Sequence, residues 1–125
     1  MRIASMAYMN NLLQSTGIPC AFMRWNNGVP DDYYFTWEYF ESPSSTLEEN
    51  GKQETTVILR GYTEKEWLYL EQAKEKIEKA CAKTAILEDG SGIAVFYDSA
   101  TVVPTGDMRL KSIKINLIVQ EWKVN

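Results

Sequence analysis

The stretch Tyr62-Thr63-Glu64-Lys65-Glu66-Trp67 decides how this chain divides. It has the pattern of a helix start: Thr63 stands as an N-cap, and Glu66 completes a capping box by reaching back to the Thr63 backbone N–H. Tyr62 and Trp67 stand where a hydrophobic staple would close over that cap. The helix predicted from this start runs from Glu64 to about Lys83. Trp67, Leu70, Ala73, Lys74, Ile77, Ala80 and Cys81 fall on one stripe of it, with Lys74 the one charge there.

Before this helix the pattern is that of strands. Tyr33 to Glu41 alternates, with Tyr33, Phe35, Trp37 and Tyr39 on one face and Tyr34, Thr36, Glu38 and Phe40 on the other. An aromatic row can be a stacking platform for bases or sugars, but core packing is the stronger reading of this one. Glu54 to Tyr62 reads as its antiparallel partner. The Ser-, Pro- and Gly-containing segment from Ser42 to Gln53 is too polar to continue the ladder, and reads as a long exposed loop. Near the N-terminus, residues 2 to 15 carry Ile3, Met6, Ala7, Leu12 and Leu13 at helical spacing, and Gly17 and Pro19 end that helix. Ala21 to Trp25 is a short strand closed by Asn26-Asn27-Gly28.

Beyond the helix, Ala85 to Glu88 and Ile93 to Tyr97 flank the turn Asp89-Gly90-Ser91-Gly92. A second loop is predicted from Ser99 to Asp107. The last strand, Leu110 to Trp122, points Ile113, Ile115, Leu117 and Val119 inward and Lys114, Asn116 and Gln120 outward, with Ile118 the exception. The order is α-β-β-β-α-β-β-β. It predicts a single α+β domain over residues 1–125: a mainly antiparallel sheet, an N-terminal helix, and one long amphipathic helix packed on one face.

Composition excludes several chemistries. The 125 residues are 45% hydrophobic and 24% charged, with no apolar run near the roughly 18 residues that span a bilayer. The N-terminus lacks the apolar core of a signal peptide, so the chain is expected in the cytoplasm when made. There is no histidine, which removes the commonest general base and metal ligand. Cys20 and Cys81 read as separate buried thiols. Asp89-Gly90-Ser91-Gly92 lacks the Lys-Ser or Lys-Thr ending of a phosphate loop. No catalytic, cofactor-binding or metal-ligating residue is assigned.

Charge is unevenly spread within a net −4. Seven acids lie between Asp31 and Glu54 against Lys52 alone, and four bases lie between Arg109 and Lys123 against Glu121. That asymmetry fits ordinary solvated faces, or head-to-tail contact between copies, acidic patch to basic patch, and in the second reading it nominates Asp31, Asp32, Glu38, Arg109, Lys111 and Lys114 as the contacts. The net negative charge disfavours nucleic-acid recognition. Ser44, Ser45, Thr46, Leu47, Glu48, Glu49, Asn50, Gly51 and Lys52, in the long loop, are the candidate partner-contacting residues.

The full pattern resembles the tail terminator, or tail completion, proteins of long-tailed bacteriophages and prophages. The likeness lies in the N-terminal helix, the short strand ending near Trp25 and Gly28, and the aromatic strand Tyr33-Tyr34-Phe35-Thr36-Trp37-Glu38-Tyr39 after Pro30. It continues through the polar loop with Asn50-Gly51-Lys52, the strand Thr56-Val57-Ile58-Leu59, the helix with Leu70, Ile77 and Ala80, and the long closing strand. The resemblance implies a structural, non-enzymatic protein that assembles as a ring of six on the end of the tail tube. Its partners would be its own copies, the tail tube protein and the head-tail connector, first in the host cytoplasm and then in the virion tail. The competing readings are another head-tail joining protein, or a small α+β binding module or enzyme with a pocket between sheet and helix lined by Trp37 and Tyr39.

Overall fold

The computed structural model of the chain describes residues 1–25, 28, 30, 32–41 and 53–122. In chain order the elements are α1 (Ile3–Ser15), β1 (Cys20–Phe22), β2 (Tyr34–Glu41), β3 (Gln53–Thr63), α2 (Leu68–Ala80), β4 (Lys83–Ile86), β5 (Gly92–Val103) and β6 (Lys111–Trp122). The six strands form one sheet in the order β1-β2-β3-β6-β5-β4. β1 runs parallel to β2, and each of the other neighbouring pairs is antiparallel. The fold is α+β, with the parallel β1 as its departure from an antiparallel sheet.

Alternation puts the apolar side chains on one face. Trp37, Leu59, Ile115 and Ala100 lie in register across β2, β3, β6 and β5. Phe35, Val57, Leu59, Ile93, Val95, Ile113, Ile115, Leu117 and Val119 form one buried cluster with Met9 and Leu13 of α1 and Leu70, Ala73 and Ile77 of α2. Both helices therefore cover the same face. Each fully buried aliphatic or aromatic side chain contributes about 1.5–3 kcal/mol. Phe35 and Trp37 are core residues, at 0% and 2% exposure.

The capping box does not form. Thr63 is the last residue of β3, opposite Lys111 of β6. Its hydroxyl donates to the Asp32 carbonyl at 2.6 Å and accepts from the Lys65 N–H at 3.1 Å. Pairing with β6 holds Thr63 in the sheet, so α2 starts at Leu68 without a side-chain N-cap. Tyr62 points to the face away from α2 and stacks on Tyr34, with ring centroids 5.2 Å apart, so it does not staple Trp67. At 13 residues α2 equals α1 in length, shorter than the predicted Glu64-to-Lys83 helix, because Lys83 enters β4. Its expected stripe packs as read: Leu70, Ala73, Ile77 and Cys81 are buried, and Lys74 reaches Glu71 at 3.0 Å.

The buried side of α1 is Ser5, Met9 and Leu13, whereas Ile3 is 90% exposed. Glu121, buried at the end of β6, explains this choice: its carboxylate accepts from the Ser5 hydroxyl at 2.6 Å and from the Arg2 N–H at 3.2 Å. The helix has no local side-chain cap and no acid in its first turn. The last strand supplies one.

The predicted loop from Ser99 is instead strand. β5 continues through Val103, past a bulge between Tyr97 and Ser99 that inserts Asp98. The turn before it lies where the sequence put it, with Gly90 at φ +85° and the Asp89 carboxylate accepting from the Ser91 N–H at 2.9 Å.

Candidate assembly surfaces

Two features of the sheet bear on assembly: the face that α1 and α2 leave bare, and the two edges. On the bare face, Phe40, Thr56, Ile118 and Phe96 form a row across β2, β3, β6 and β5, with Phe40 at 60% and Phe96 at 46% exposure. Beside it lies the mostly polar row Glu38, Ile58, Asn116 and Ser99. Thr36, Arg60, Lys114 and Thr101 lie in one register, and Arg60 Nε reaches Glu38 Oε1 at 3.1 Å. At the far end Tyr34 stacks on Tyr62 and carries the Trp25 ring at 5.6 Å. Burial pushes the Tyr34 hydroxyl pKa up.

The nominated charges fall in three places. Glu38 and Lys114 flank Arg60 on the bare face, the first by ion pair and the second by register. Asp32 and Lys111 converge on Lys65: its ammonium reaches Asp32 Oδ1 at 2.7 Å, and its carbonyl accepts from Lys111 Nζ at 2.7 Å. Arg109 stands exposed in the turn before β6, where its N–H donates to the Asp107 carboxylate at 2.9 Å. Asp31 and the loop candidates Ser44 to Lys52 lie outside the described residues.

The two edges differ. On β1, Phe35 N–H donates to Pro19 O and Met23 N–H donates to Trp37 O, both at 2.8 Å, so Cys20 and Phe22 turn their backbone groups outward. Both outward carbonyls are occupied: Gln14 Nε2 donates to Cys20 O at 3.2 Å and Arg24 N–H to Phe22 O at 2.8 Å. The carbonyls of that edge are thereby closed to a further strand. On the opposite side β4 pairs with β5 only as far as Val95. The rest of β5, from Phe96 to Val103, has β6 on one side and no strand on the other among the described residues. Beside this open edge Trp67, Val102, Pro104 and Met108 line a shallow groove, with Val102 at 66% and Met108 at 101% exposure.

The sequence did not point to this edge, because Ser99 to Val103 runs into the turn signal Pro104-Thr105-Gly106 and reads as part of that loop. Two sequence signals pointed to the bare apolar row: Ile118, the exception to the alternation of β6, and Phe40 on the face of β2 away from Phe35 and Trp37.

A chain in the virion of the native gene transfer agent particle superimposes with a TM-score of 0.65 at 9% identity, covering 88% of this chain and 84% of that one. The two share a fold. A second solved chain gives a TM-score of 0.63 at 11% identity, covering 98% of this chain and 93% of that one. No protein-family model matches the chain, and no curated protein matches it.

Burial pushes both the Cys20 and the Cys81 thiol up to about 12, so neither is a thiolate at neutral pH. The Trp67 indole N–H and then Lys74 hold the Glu71 carboxyl below its ordinary value, and Glu71 in turn raises Lys74. Trp37, proposed as a pocket wall, is closed inside the core beneath Phe22, whose ring lies 4.7 Å away edge-on. No helix among the described residues is long and apolar enough to cross a membrane.

Proposed function

We propose that this chain is a structural, non-catalytic component of a phage-like virion: a tail terminator that caps the tail tube as a ring of six copies and joins it to the head connector. The observation that carries the reading is the shared fold, over most of both chains, with a chain of a gene transfer agent virion. It agrees with the independent resemblance in the order of elements. A bare sheet face on which the exposed Phe40 and Phe96 share a row with half-buried Ile118 suits a protein that works by being covered. In this reading the segment 44–52 contacts the tube, and Arg109 and Lys114 meet acidic groups of neighbouring copies.

The test is polymerisation of the tail tube protein from the same particle with and without this chain, viewed by negative-stain electron microscopy. Tubes of limited length with a ring at one end are expected. Tubes unchanged in length and without a terminal ring overturn the reading. Deleting residues 43–52 should leave a folded protein that no longer limits the tubes.

A further inference from the structure

We infer that free copies of this chain pair edge to edge through β5, two sheets joining antiparallel about a twofold axis at Thr101. The inference goes beyond the ring reading and does not depend on it.

It starts from which backbone groups are open. The Leu87 N–H donates to Ser91 O at 2.7 Å, so Ser91 faces β4. Alternation then turns Ile93 and Val95 toward β4 and Phe96 toward β6. Past the bulge at Asp98, Ser99, Thr101 and Val103 face β6 opposite Asn116, Lys114 and Ser112. Ala100 and Val102 therefore direct their N–H and C=O groups at the open edge. No backbone group of Ser99 to Val103 has a side-chain cap on that edge among the described residues, whereas on β1 Gln14 caps the Cys20 carbonyl and the Arg24 N–H caps that of Phe22.

The open run is bounded on both sides. The bulge ends it at Asp98, and Pro104, which has no N–H, ends it at the other. Antiparallel pairing requires outward residues to oppose outward residues. An axis at Ala100 sets Val102 against the bulge, and an axis at Val102 sets Ala100 against Pro104. An axis at Thr101 pairs Ala100 with Val102 of the second copy, and Val102 with its Ala100, using every outward donor.

The occupant is a second copy because the segment is its own complement in this register. Thr101 meets Thr101 on the bare face, a favourable cross-strand pair, and the small Ala100 leaves room for the exposed Val102 on the helix face. Asp98, the one charge in β5, falls beside the second copy's turn of Pro104 to Arg109. Arg109 makes no ion pair among the described residues of its own chain. The sequence therefore sets no like charges opposite each other at the axis, and the Trp67–Met108 groove receives the second copy's edge.

The experiment is sedimentation velocity on the full chain from about 1 to 100 µM, a range that reports micromolar association. The wild type should show a monomer–dimer equilibrium. Thr101→Lys, which faces two cations across the axis, should weaken it at least tenfold, as should Thr101→Asp, with far-UV circular dichroism unchanged. An equimolar mixture of the two variants should restore the dimer. A wild type monomeric throughout overturns the inference. So does a dimer, or a larger species, whose association changes less than twofold in both variants.

Discussion

Gly61 offers the sharpest test of the packing, because its environment rather than its backbone demands glycine. It lies on β3 opposite Phe35 and Ile113. A Cβ at this position would sit 2.4 Å from Phe35 Cζ, 2.5 Å from Cε2 and 2.8 Å from Cε1. Carbon atoms rest at about 3.5–4.0 Å. The ring cannot withdraw easily: Phe35 is fully buried and meets Tyr33 edge-on at 6.2 Å. Overpacking of this kind costs about 1–3 kcal/mol. Alanine recovers about 0.5–1 kcal/mol of the entropy that glycine loses in a strand. Gly61→Ala should therefore destabilise by about 0.5–2 kcal/mol, read from urea unfolding followed by circular dichroism, and lower the Tm by roughly 4 °C per kcal/mol. In a Phe35→Leu background the same substitution should cost about 1 kcal/mol less, since the clashing ring is gone. A Gly61→Ala protein as stable as wild type, or strict additivity with Phe35→Leu, refutes the reasoning. Gly92→Ala is the internal control. Its Cβ would meet the Trp122 ring at 2.2 Å, but that ring is partly exposed on the bare face and can swing aside, so the cost should be smaller.

Two further outcomes follow from buried polar groups. Ser5→Ala removes a fully buried hydroxyl from a buried carboxylate and should cost about 1.5–3 kcal/mol, the range for a hydrogen bond to a charged partner; a loss under about 0.5 kcal/mol in urea unfolding contradicts the Glu121 anchor. The thiols should be unreactive toward a thiol reagent at pH 8 in the folded chain and both reactive after unfolding. Their folded pKa, about 12, lies above the ordinary 9.0, so the stability they add is present below pH 9 and is lost as pH rises toward 12. Cys81→Ala should flatten that alkaline decline, and an unchanged slope between pH 9 and 11 argues against a buried thiol.

Much of the fold was legible because its signals were local. The order of elements, the inward row of β6, the aromatic core strand and the turn at Gly90 each follow from alternation or turn chemistry within a few residues. What failed was decided at long range. Thr63 has the makings of a helix cap, yet its backbone is claimed by β6, whose partner residue Lys111 lies far along the chain. Ser99 to Val103 reads as loop because it runs into the turn signal Pro104-Thr105-Gly106, and the neighbouring β6 ladder is what holds it extended. Ile3 belongs to the predicted apolar stripe of α1 but is exposed, since Glu121 turns the Ser5 side inward. Of the nominated contacts, sequence could name the charges but not that Lys65 gathers Asp32 and Lys111, or that Arg60 lies between Glu38 and Lys114.

The tie between Glu121 and the start of α1 has a consequence for biosynthesis. The carboxylate and the Arg2 N–H it accepts from are 119 positions apart. The central ladder likewise needs β6 before β3 gains its second neighbour. The Glu121 anchor of α1 and the second neighbour of β3 thus both wait until β6 has been made, and pairings this distant in sequence slow folding.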